Sequence, residues 1–248
     1  MEKNIRLIIL SLVLLANQTF AQLTHSHNDY EHARPFYDAY SLGYDSIEAD
    51  LYIKDGELYV AHDWKNIAEG RTFKALYFEP LLAEIKAYKG YPYADKKKLY
   101  LLLDLKKDGK LIMAELEKLF KPHKKELKHV HITISGDMPK PEEFAQYDKL
   151  FYFDGRRTTV YPDKAYKRVD MVSASFTDFG KYWPGKQEMP EETYQKISEF
   201  VKYNHARGKR VRIWGTANTV LTFETLKKLE VDFIGTDDLD LLRKFVLK

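Results

Sequence analysis

Cysteine is absent from the 248 residues of this chain. The chain therefore has no disulfide framework, no thiolate chemistry and no lipid-bearing cysteine. A strong charge of one sign is also lacking, because 40 basic residues stand against 37 acidic ones, for a formal net charge of +3. Without a long block of like charge, nothing in the composition indicates nucleic-acid binding.

A long hydrophobic run is lacking as well. The apolar run at residues 7–16 is too short to span a membrane, and it follows Lys3 and Arg6 and precedes small residues ending at Ala21. This pattern is typical of a secretory signal peptide. We therefore predict that residues 1–21 are removed near Ala21 and that the mature protein is exported, periplasmic or secreted. An uncleaved anchor is the alternative.

Short apolar segments alternate with helical patterns along the rest of the chain. Strands are predicted in 23–30, in the first part of 46–63, and at 99–106, 130–135, 150–153, 169–175, 210–214 and 233–236. Helices are predicted at 35–42, 79–89, 108–127, 142–147, 190–207, 223–230 and 239–246, and residues 157–168 are predicted as a loop where a helix would be expected. Eight such units predict one α/β domain over residues 22–248, a closed parallel (β/α)₈ TIM barrel.

A hairpin extends the second strand unit. Asp55-Gly56 separates two alternating apolar runs within 46–63, which is the pattern of a tight β-turn. Glu48 and Asp50 are two residues apart on the first run, so both side chains leave the same face of the strand. The second run leads to His62. Two carboxylates with a returning histidine predict a metal site with an acid–base partner.

The third strand adds a further charged pair, Asp104 and Lys106, at its carboxyl end. In a TIM barrel the carboxyl ends of the strands hold the chemistry. Asp104 would then join Glu48 and Asp50, and three close carboxylates repel one another unless a cation neutralises them. Oxygen ligands suit Mg²⁺ or Ca²⁺. Lys106 would balance a substrate anion; the alternative is a salt bridge that holds the carboxylates.

Other polar residues fall at the same predicted rim. They are His25 and His27, Ser135, Asp154 and Arg156, Ser173 and Ser175, and Asp237 and Asp238. Trp214, at the end of the seventh strand, is predicted to form an apolar wall of the barrel mouth. His129 and His131 lie at the start of the fourth strand, and so on the opposite rim.

These residues together resemble the glycerophosphodiester phosphodiesterase and phosphatidylinositol-specific phospholipase C-like superfamily. The opening His-Ser-His-Asn-Asp-Tyr at 25–30 is most similar to the branch of the fungal altered-inheritance-of-mitochondria protein 6. Further matches are the Glu-x-Asp pair, the His-Asp pair at 62–63 after an Asp-Gly hairpin, the third-strand acid and lysine, the late tryptophan and the closing Gly-Thr-Asp at 235–237.

The resemblance implies a role for each matched residue. His27 and His62 would be the acid–base pair, with a divalent cation on Glu48, Asp50 and Asp104. The substrate-binding residues would be Lys106, Trp214, Asn28 and His25. The sequence departs from the family pattern in three places. Asn28-Asp29 stands where the family has Arg-Gly after the first histidine, Arg34-Pro-Phe-Tyr-Asp38 replaces its Pro-Glu-Asn-Thr motif, and Asp104 stands where glutamate is commoner.

The function implied is that of a secreted, metal-dependent phosphodiesterase, which cleaves a P–O bond of a glycerophosphodiester or phospholipid. Its partner would be that substrate, with no nucleic acid and no stable membrane span. His25-x-His27 also looks like the opening of amidohydrolase or polymerase-and-histidinol-phosphatase barrels, which leaves another metal hydrolase as an alternative. A catalytically inactive ligand-binding barrel is the third possibility.

Overall fold

The computed structural model describes residues 22–247, and its central feature is a closed barrel of eight parallel strands. The first strand pairs with both the second and the last, which closes the sheet. The predicted fold is thereby confirmed, whereas the predicted signal peptide and its cleavage position at Ala21 lie outside the described residues. The strands are β1 (Leu23–Ser26), β2 (Ser46–Lys54), β3 (Glu57–Val60), β4 (Leu99–Leu105), β5 (Val130–Gly136), β6 (Phe151–Arg156), β7 (Val169–Ser175), β8 (Arg210–Trp214) and β9 (Phe233–Thr236).

Helices connect the strands. They are α1 (Tyr37–Ser41), α2 (Glu79–Ala87), α3 (Gly109–Phe120), α4 (Asp163–Tyr166), α5 (Glu191–His205), α6 (Val220–Lys228) and α7 (Leu239–Val246). Within residues 22–247 no helix has the length and apolar character that a membrane crossing requires.

Several predicted element bounds need correction. The helix predicted at 108–127 ends at Phe120, since Pro122 lacks the N–H that would continue it, and short 3₁₀ turns follow. The segment 157–168, predicted as a loop, contains the single-turn helix α4. The helix predicted at 142–147 is a 3₁₀ helix, Pro141–Gln146. The first strand ends at Ser26, so His27 lies just beyond it.

The apolar core lies between the barrel and its helices. On β2, Ile47, Ala49 and Leu51 are fully buried among the core residues. Their alternate neighbours Glu48 and Asp50 are also buried, but they face the barrel interior, where side chains of successive strands meet. The barrel interior is therefore polar at the level of these two carboxylates.

An apolar cluster occupies the barrel interior beneath Asp104. Leu102, Met171 and Phe233 are almost completely buried and pack together, apart from the main core. Leu102 pairs with Glu48 of β2 and precedes Asp104 by two residues on β4, so the cluster lies one side-chain layer beneath Asp104. A ligand can therefore reach the carboxylates only from the carboxyl ends of the strands.

The strand β3 lies outside the barrel and pairs antiparallel with β2 alone among the strands. The turn residues Asp55 and Gly56 have φ values of 52° and 79°, the left-handed conformation that a two-residue hairpin of this type needs. Beyond β3 the N–H of Ala61 still donates to the carbonyl of Asp50, at 3.3 Å. The hairpin thus returns the chain to the level of Asp50 immediately before His62.

Replacing Gly136, at the end of β5, by alanine should destabilise the fold. Its φ is +71°, and an added Cβ would lie 2.2 Å from the carbonyl oxygen of Leu105 and 2.5 Å from Asp104 Oδ1. Backbone strain and overpacking together should lower the free energy of unfolding by about 2–5 kcal/mol, as measured by urea denaturation.

Gly70→Ala is the matched control. Gly70 also has a positive φ, +79°, but nothing lies within 4 Å of its added Cβ. It should lose only about 1 kcal/mol, the cost of the backbone conformation. Equal losses for the two variants would contradict the close packing of Gly136 against β4.

Candidate active site

A pocket of about 510 Å³ opens at the carboxyl ends of the strands. Seven of the residues selected from the sequence line it: His27, Asn28, Glu48, His62, Asp104, Lys106 and Trp214. Residues of β5 to β8 complete the wall, among them Ser135, Asp154, Arg156, Ser173 and Arg212. The ring of Trp214 is 46% exposed, as expected for a residue on the pocket rim.

The three predicted metal ligands converge. Glu48, Asp50 and Asp104 each offer a carboxylate oxygen within 4.8 Å of the others. Their meeting follows from strand register, because Asp50 pairs with Asp104 across β2 and β4, and Glu48 lies on the same face of β2. We refer to these three residues as the acidic cluster.

Glu48 is held as a buried anion. Arg212 Nη2 donates to Glu48 Oε2 at 2.7 Å, and His25 Nε2 lies 2.9 Å from the same oxygen. Burial alone would raise the pKa of Glu48, but the charge of Arg212 and the hydrogen bond from His25 hold it well below its usual range. Glu48 is therefore ionised at neutral pH.

Arg212 was not selected from the sequence as a site residue. The one signal for it is alternation: Arg210, Arg212 and Trp214 share one face of β8, and Trp214 was already predicted to line the barrel mouth. A side chain between them on that face must point into the barrel. There the guanidinium meets Glu48 from the opposite wall.

His25 was predicted to bind substrate, and the structure contradicts this. Its side chain is fully buried, with Nδ1 2.8 Å from Ser46 Oγ and Nε2 bound to Glu48. Burial and the nearby charge of Arg212 lower the pKa of His25 to about 4, so the ring is neutral at neutral pH. His25 lies one layer deeper than His27 in the barrel, and its role is to position Glu48.

Asp50 is held through one oxygen only. Its Oδ2 accepts the hydroxyl of Tyr30 at 2.5 Å and lies 2.7 Å from Lys106 Nζ. Its Oδ1 is buried and has no hydrogen-bond partner in the described part of the chain, residues 22–247. Burial and the charge of Glu48 raise the pKa of Asp50 to about 6. One carboxylate oxygen in the cluster is thus left without the partner that a buried anion requires.

Lys106 lies between two members of the acidic cluster. Its Nζ is 2.6 Å from Asp104 Oδ2 and 2.7 Å from Asp50 Oδ2. Burial opposes its charge, but the two carboxylates outweigh that effect and raise its pKa above the ordinary value. The salt bridge considered from the sequence is therefore present, and Lys106 faces the pocket with its charge already shared.

The acidic cluster fits a divalent cation of the Mg²⁺ or Ca²⁺ type. Its donors are all carboxylate oxygens, which hard cations prefer. The unpartnered Asp50 Oδ1 supplies an oxygen that only a cation or a donor group could satisfy. Glu48, Asp50 and Asp104 are the residues that would hold the ion.

Tyr30, also missed from the sequence, connects the acidic cluster to His62. Its buried hydroxyl donates to Asp50 Oδ2 and lies 3.1 Å from His62 Nδ1. The hydroxyl has one proton, and an ionised carboxylate can only accept. Asn28 Oδ1, 2.8 Å from the hydroxyl, is a second acceptor for the same proton. His62 Nδ1 is therefore the donor toward Tyr30, and the lone pair of the ring, when it is neutral, lies on Nε2.

His27 is paired differently. Its Nδ1 lies 2.8 Å from Asp237 Oδ1, just beyond β9. Burial would lower the pKa of His27, but the hydrogen bond to Asp237 and the charge of Glu48 raise it above 6.5. Asn28 Nδ2 also donates to Asp237 Oδ1, at 3.2 Å. Asp237 therefore favours a protonated His27.

The loop that carries His27 and Asn28 is anchored by Asp29. This buried carboxylate accepts the Ser26 hydroxyl at 2.8 Å, the Phe36 N–H at 2.6 Å and the Tyr77 hydroxyl at 2.9 Å. Asn28 has a φ of 47°, a left-handed conformation that asparagine adopts more readily than most residues. The anchored loop and the left-handed residue fix the position of His27 over the pocket.

A family model gives the first comparison with known proteins. The model of the AIM6-like phosphodiesterase domain matches residues 15–132, just under half of the chain. The resemblance predicted from the sequence, to the branch of altered-inheritance-of-mitochondria protein 6, is confirmed. The matched stretch contains His27, the acidic cluster, His62 and Lys106.

Two individual proteins of this branch are similar in sequence to the chain. Altered inheritance of mitochondria protein 6 of Eremothecium gossypii is 28% identical over 266 residues, covering 89% of this chain and 68% of that protein. The homologue of Arthroderma benhamiae is 32% identical over 117 residues, covering 40% of this chain and 37% of its own length.

Solved structures of glycerophosphodiester phosphodiesterases share the fold. The one from Parabacteroides distasonis superposes with a TM-score of 0.59 at 15% identity, covering 93% of this chain and 100% of that chain. The one from Agrobacterium tumefaciens gives 0.58 at 14% identity, covering 92% and 100%. At these identities the likeness establishes the barrel, and the chemistry has to be argued from the residues.

Replacing Tyr30 by phenylalanine should change the tautomer of His62. The variant keeps the buried ring but removes the oxygen that accepts the Nδ1 proton. We expect ¹⁵N–¹H correlation spectra to show the Nδ1–H form of His62 in the native protein and a shift toward the Nε2–H form in Tyr30→Phe. Tyr59→Phe is the control and should leave the His62 signals in place. An unchanged tautomer in Tyr30→Phe would contradict the role of Tyr30.

Proposed function

We propose that this protein is a metal-dependent phosphodiesterase that cleaves a P–O bond in a glycerophosphodiester or phospholipid-type substrate. The observation that carries the proposal is the acidic cluster in one pocket with two histidines whose hydrogen bonds differ. His27 Nδ1 is held by a carboxylate that favours the protonated ring, and His62 Nδ1 by a hydroxyl that accepts its proton, so that the lone pair of the neutral His62 ring is on Nε2. A proton donor and a proton acceptor thus line one pocket.

The phosphodiester would lie against the acidic cluster. A bound Mg²⁺ or Ca²⁺ would supply Lewis-acid polarisation of a phosphoryl oxygen and stabilise the negative charge that develops in the transition state. Glu48, Asp50 and Asp104 would hold that ion, and Arg212 and His25 keep Glu48 ionised and oriented for it. Lys106 adds positive charge at the same level of the pocket.

Proton transfer falls to the two histidines. His62 Nε2 takes the proton of the attacking hydroxyl, from water or from the substrate itself, as its oxygen bonds to phosphorus. His27 Nε2 gives a proton to the leaving oxygen as the second P–O bond breaks. Tyr30 and Asp237 occupy the Nδ1 atoms, so each ring has only Nε2 left for the substrate. His62 gains one proton and His27 loses one, and exchange with solvent returns both to their starting protonation states.

The amidohydrolase-type alternative loses its support at His25. That reading required His25 and His27 to act as paired ligands on the first strand. Both ring nitrogens of His25 are engaged, by Ser46 and by Glu48, and the residue does not line the pocket. Trp214 and Asn28, in contrast, line the pocket and remain the proposed substrate contacts.

Export belongs to the proposal as well. It is supported by the charged start and short apolar run of residues 1–21, which lie outside the described residues. Expression of the full chain with detection of a shortened N-terminus in the exported fraction would test it.

Metal removal and histidine replacement test the proposed activity. Release of p-nitrophenol from bis(p-nitrophenyl) phosphate should stop after chelation and return with Mg²⁺ or Ca²⁺. On a glycerophosphodiester, whose alkoxide leaving group needs a proton, His27→Ala and His62→Ala should each lower kcat by about 10²–10⁴-fold, since each removes a proton-transfer group. The melting temperature should change by only a few degrees, because both residues contact solvent.

His129→Ala serves as the control for these variants. His129 stacks on Tyr91 and does not line the pocket, so the variant should keep its activity. A screen of glycerophosphodiesters and lysophospholipids by ³¹P NMR would then identify the alcohol. Metal-independent turnover, or none on any diester, would refute the proposal.

The pH dependence of kcat/KM should reveal the role of Asp237. As the proton donor, His27 is active while protonated, so the rate falls when the pH rises through its pKa, which lies above 6.5. Asp237→Asn removes the charge that stabilises the imidazolium, lowers that pKa and should move the alkaline limb to lower pH. Asp238→Asn, next in the chain, is the control. An unmoved limb in Asp237→Asn would show that another group sets it.

A further inference from the structure

Arg156 projects into the pocket from the wall opposite β2. It is the last residue of β6, and its side chain is partly exposed at the pocket surface. Its Nη1 donates to Asp154 Oδ2 at 2.6 Å, and its Nη2 donates to Ser135 Oγ at 3.2 Å. The guanidinium is therefore fixed in orientation by two groups on neighbouring strands.

Strand register places this guanidinium beside the acidic cluster. Ser135, which accepts from Nη2, pairs with Asp104 across β5 and β4. Arg156 thus contacts the residue adjacent to one of the three carboxylates that would hold the cation. A phosphoryl group positioned at Asp104 would present an oxygen toward the ends of β5 and β6.

Two other cations of the pocket, Lys106 and Arg212, are engaged by the acidic cluster. Lys106 is bound by Asp50 and Asp104, and Arg212 by Glu48. Asn28 is uncharged, and its amide is directed at Asp237. Arg156 is different, because its partner Asp154 lies outside the cluster.

The contact with Asp154 is made through a single oxygen. Asp154 Oδ1 is buried and has no hydrogen-bond partner among residues 22–247, so the pair is not the two-bond fork that arginine and carboxylate often form. A guanidinium has five N–H donors, and the two contacts given above use two of them. The remaining donors are available to an anion in the pocket.

We propose that Arg156 binds a non-bridging oxygen of the scissile phosphoryl group, with Asp154 and Ser135 as the residues that orient it. The assignment rests on the proposed phosphodiesterase function for its substrate and on the geometry of the pocket for its site. It makes the strand ends of β5 and β6 a phosphate-binding wall facing the acidic cluster. Arginine suits this task because its planar fork matches phosphate oxygens.

Arg156→Lys is the variant of choice, since lysine keeps the charge opposite Asp154 but loses the fork. With bis(p-nitrophenyl) phosphate, whose only charge is on the phosphoryl group, we expect kcat/KM to fall at least about tenfold. Glycerophosphoserine, which adds a carboxylate, should show a similar fall. A loss confined to glycerophosphoserine would overturn the proposal, because Arg156 would then recognise the acidic headgroup. The absence of a loss on both substrates would overturn it as well.

Arg34→Lys is the matched control. Its guanidinium is exposed, pairs with Asp38 at 2.8 Å and does not line this pocket. Its replacement should leave kcat/KM within about twofold, as is usual for an exposed ion pair.

A binding measurement separates this inference from the proposed function. Inorganic phosphate added to the metal-free protein should broaden its ³¹P signal, and Arg156→Lys should weaken that binding about tenfold. This result would support the site even if no diester were hydrolysed. Equal phosphate binding by the native protein and by Arg156→Lys would overturn it even if hydrolysis were observed.

If Arg156→Lys fails to fold, Asp154→Asn/Arg156→Gln replaces it. Removing both charges avoids leaving a buried carboxylate without its partner. Both measurements apply unchanged to the double variant, and retention of native phosphate binding by it would equally overturn the proposal.

Discussion

Electrostatic repulsion among three buried carboxylates is the constraint on which this site depends. Glu48, Asp50 and Asp104 are brought together by strand register, and their charges are tolerated because cations reach them from other strands. Arg212 comes from β8 and Lys106 from just beyond β4. The balance is incomplete at Asp50, where one oxygen has no partner and the pKa is raised to about 6. The unpartnered oxygen of Asp50 can therefore attract a cation inside the folded barrel.

His27 and His62 differ in the group that contacts their Nδ1 atoms. Both rings line the same pocket, and both are bonded through Nδ1. The Asp237 carboxylate at that position favours the imidazolium of His27, whereas the Tyr30 hydroxyl at His62 accepts the Nδ1 proton and so fixes the tautomer. In the proposed mechanism the different roles of the two histidines therefore arise from Asp237 and Tyr30, which do not themselves transfer a proton to the substrate.

The sequence was most informative where one periodicity controls the outcome. Alternating apolar segments predicted the barrel, and the two-residue spacing of Glu48 and Asp50 predicted the convergence with Asp104. The ends of helices and strands were harder to predict. Pro122, for example, interrupts a helical pattern that otherwise continues. The partners of Arg212, Tyr30 and His25 could not be predicted, since each lies 20 or more residues away along the chain. Side-chain pairing across a barrel depends on the tertiary structure, and the local sequence pattern contains little information about it.

The hairpin has a consequence for how the site is kept intact. β3 pairs with β2 alone among the strands and makes one further isolated bridge, Tyr59 to Thr72, so it can detach while the eight-stranded closure stays bonded. Such partial openings need less free energy than global unfolding. His62 directly follows this strand and would leave the pocket with it. The site can therefore lose His62 while the barrel stays folded, and what holds His62 in place is the pairing of a four-residue strand together with the burial of Leu58 and Val60.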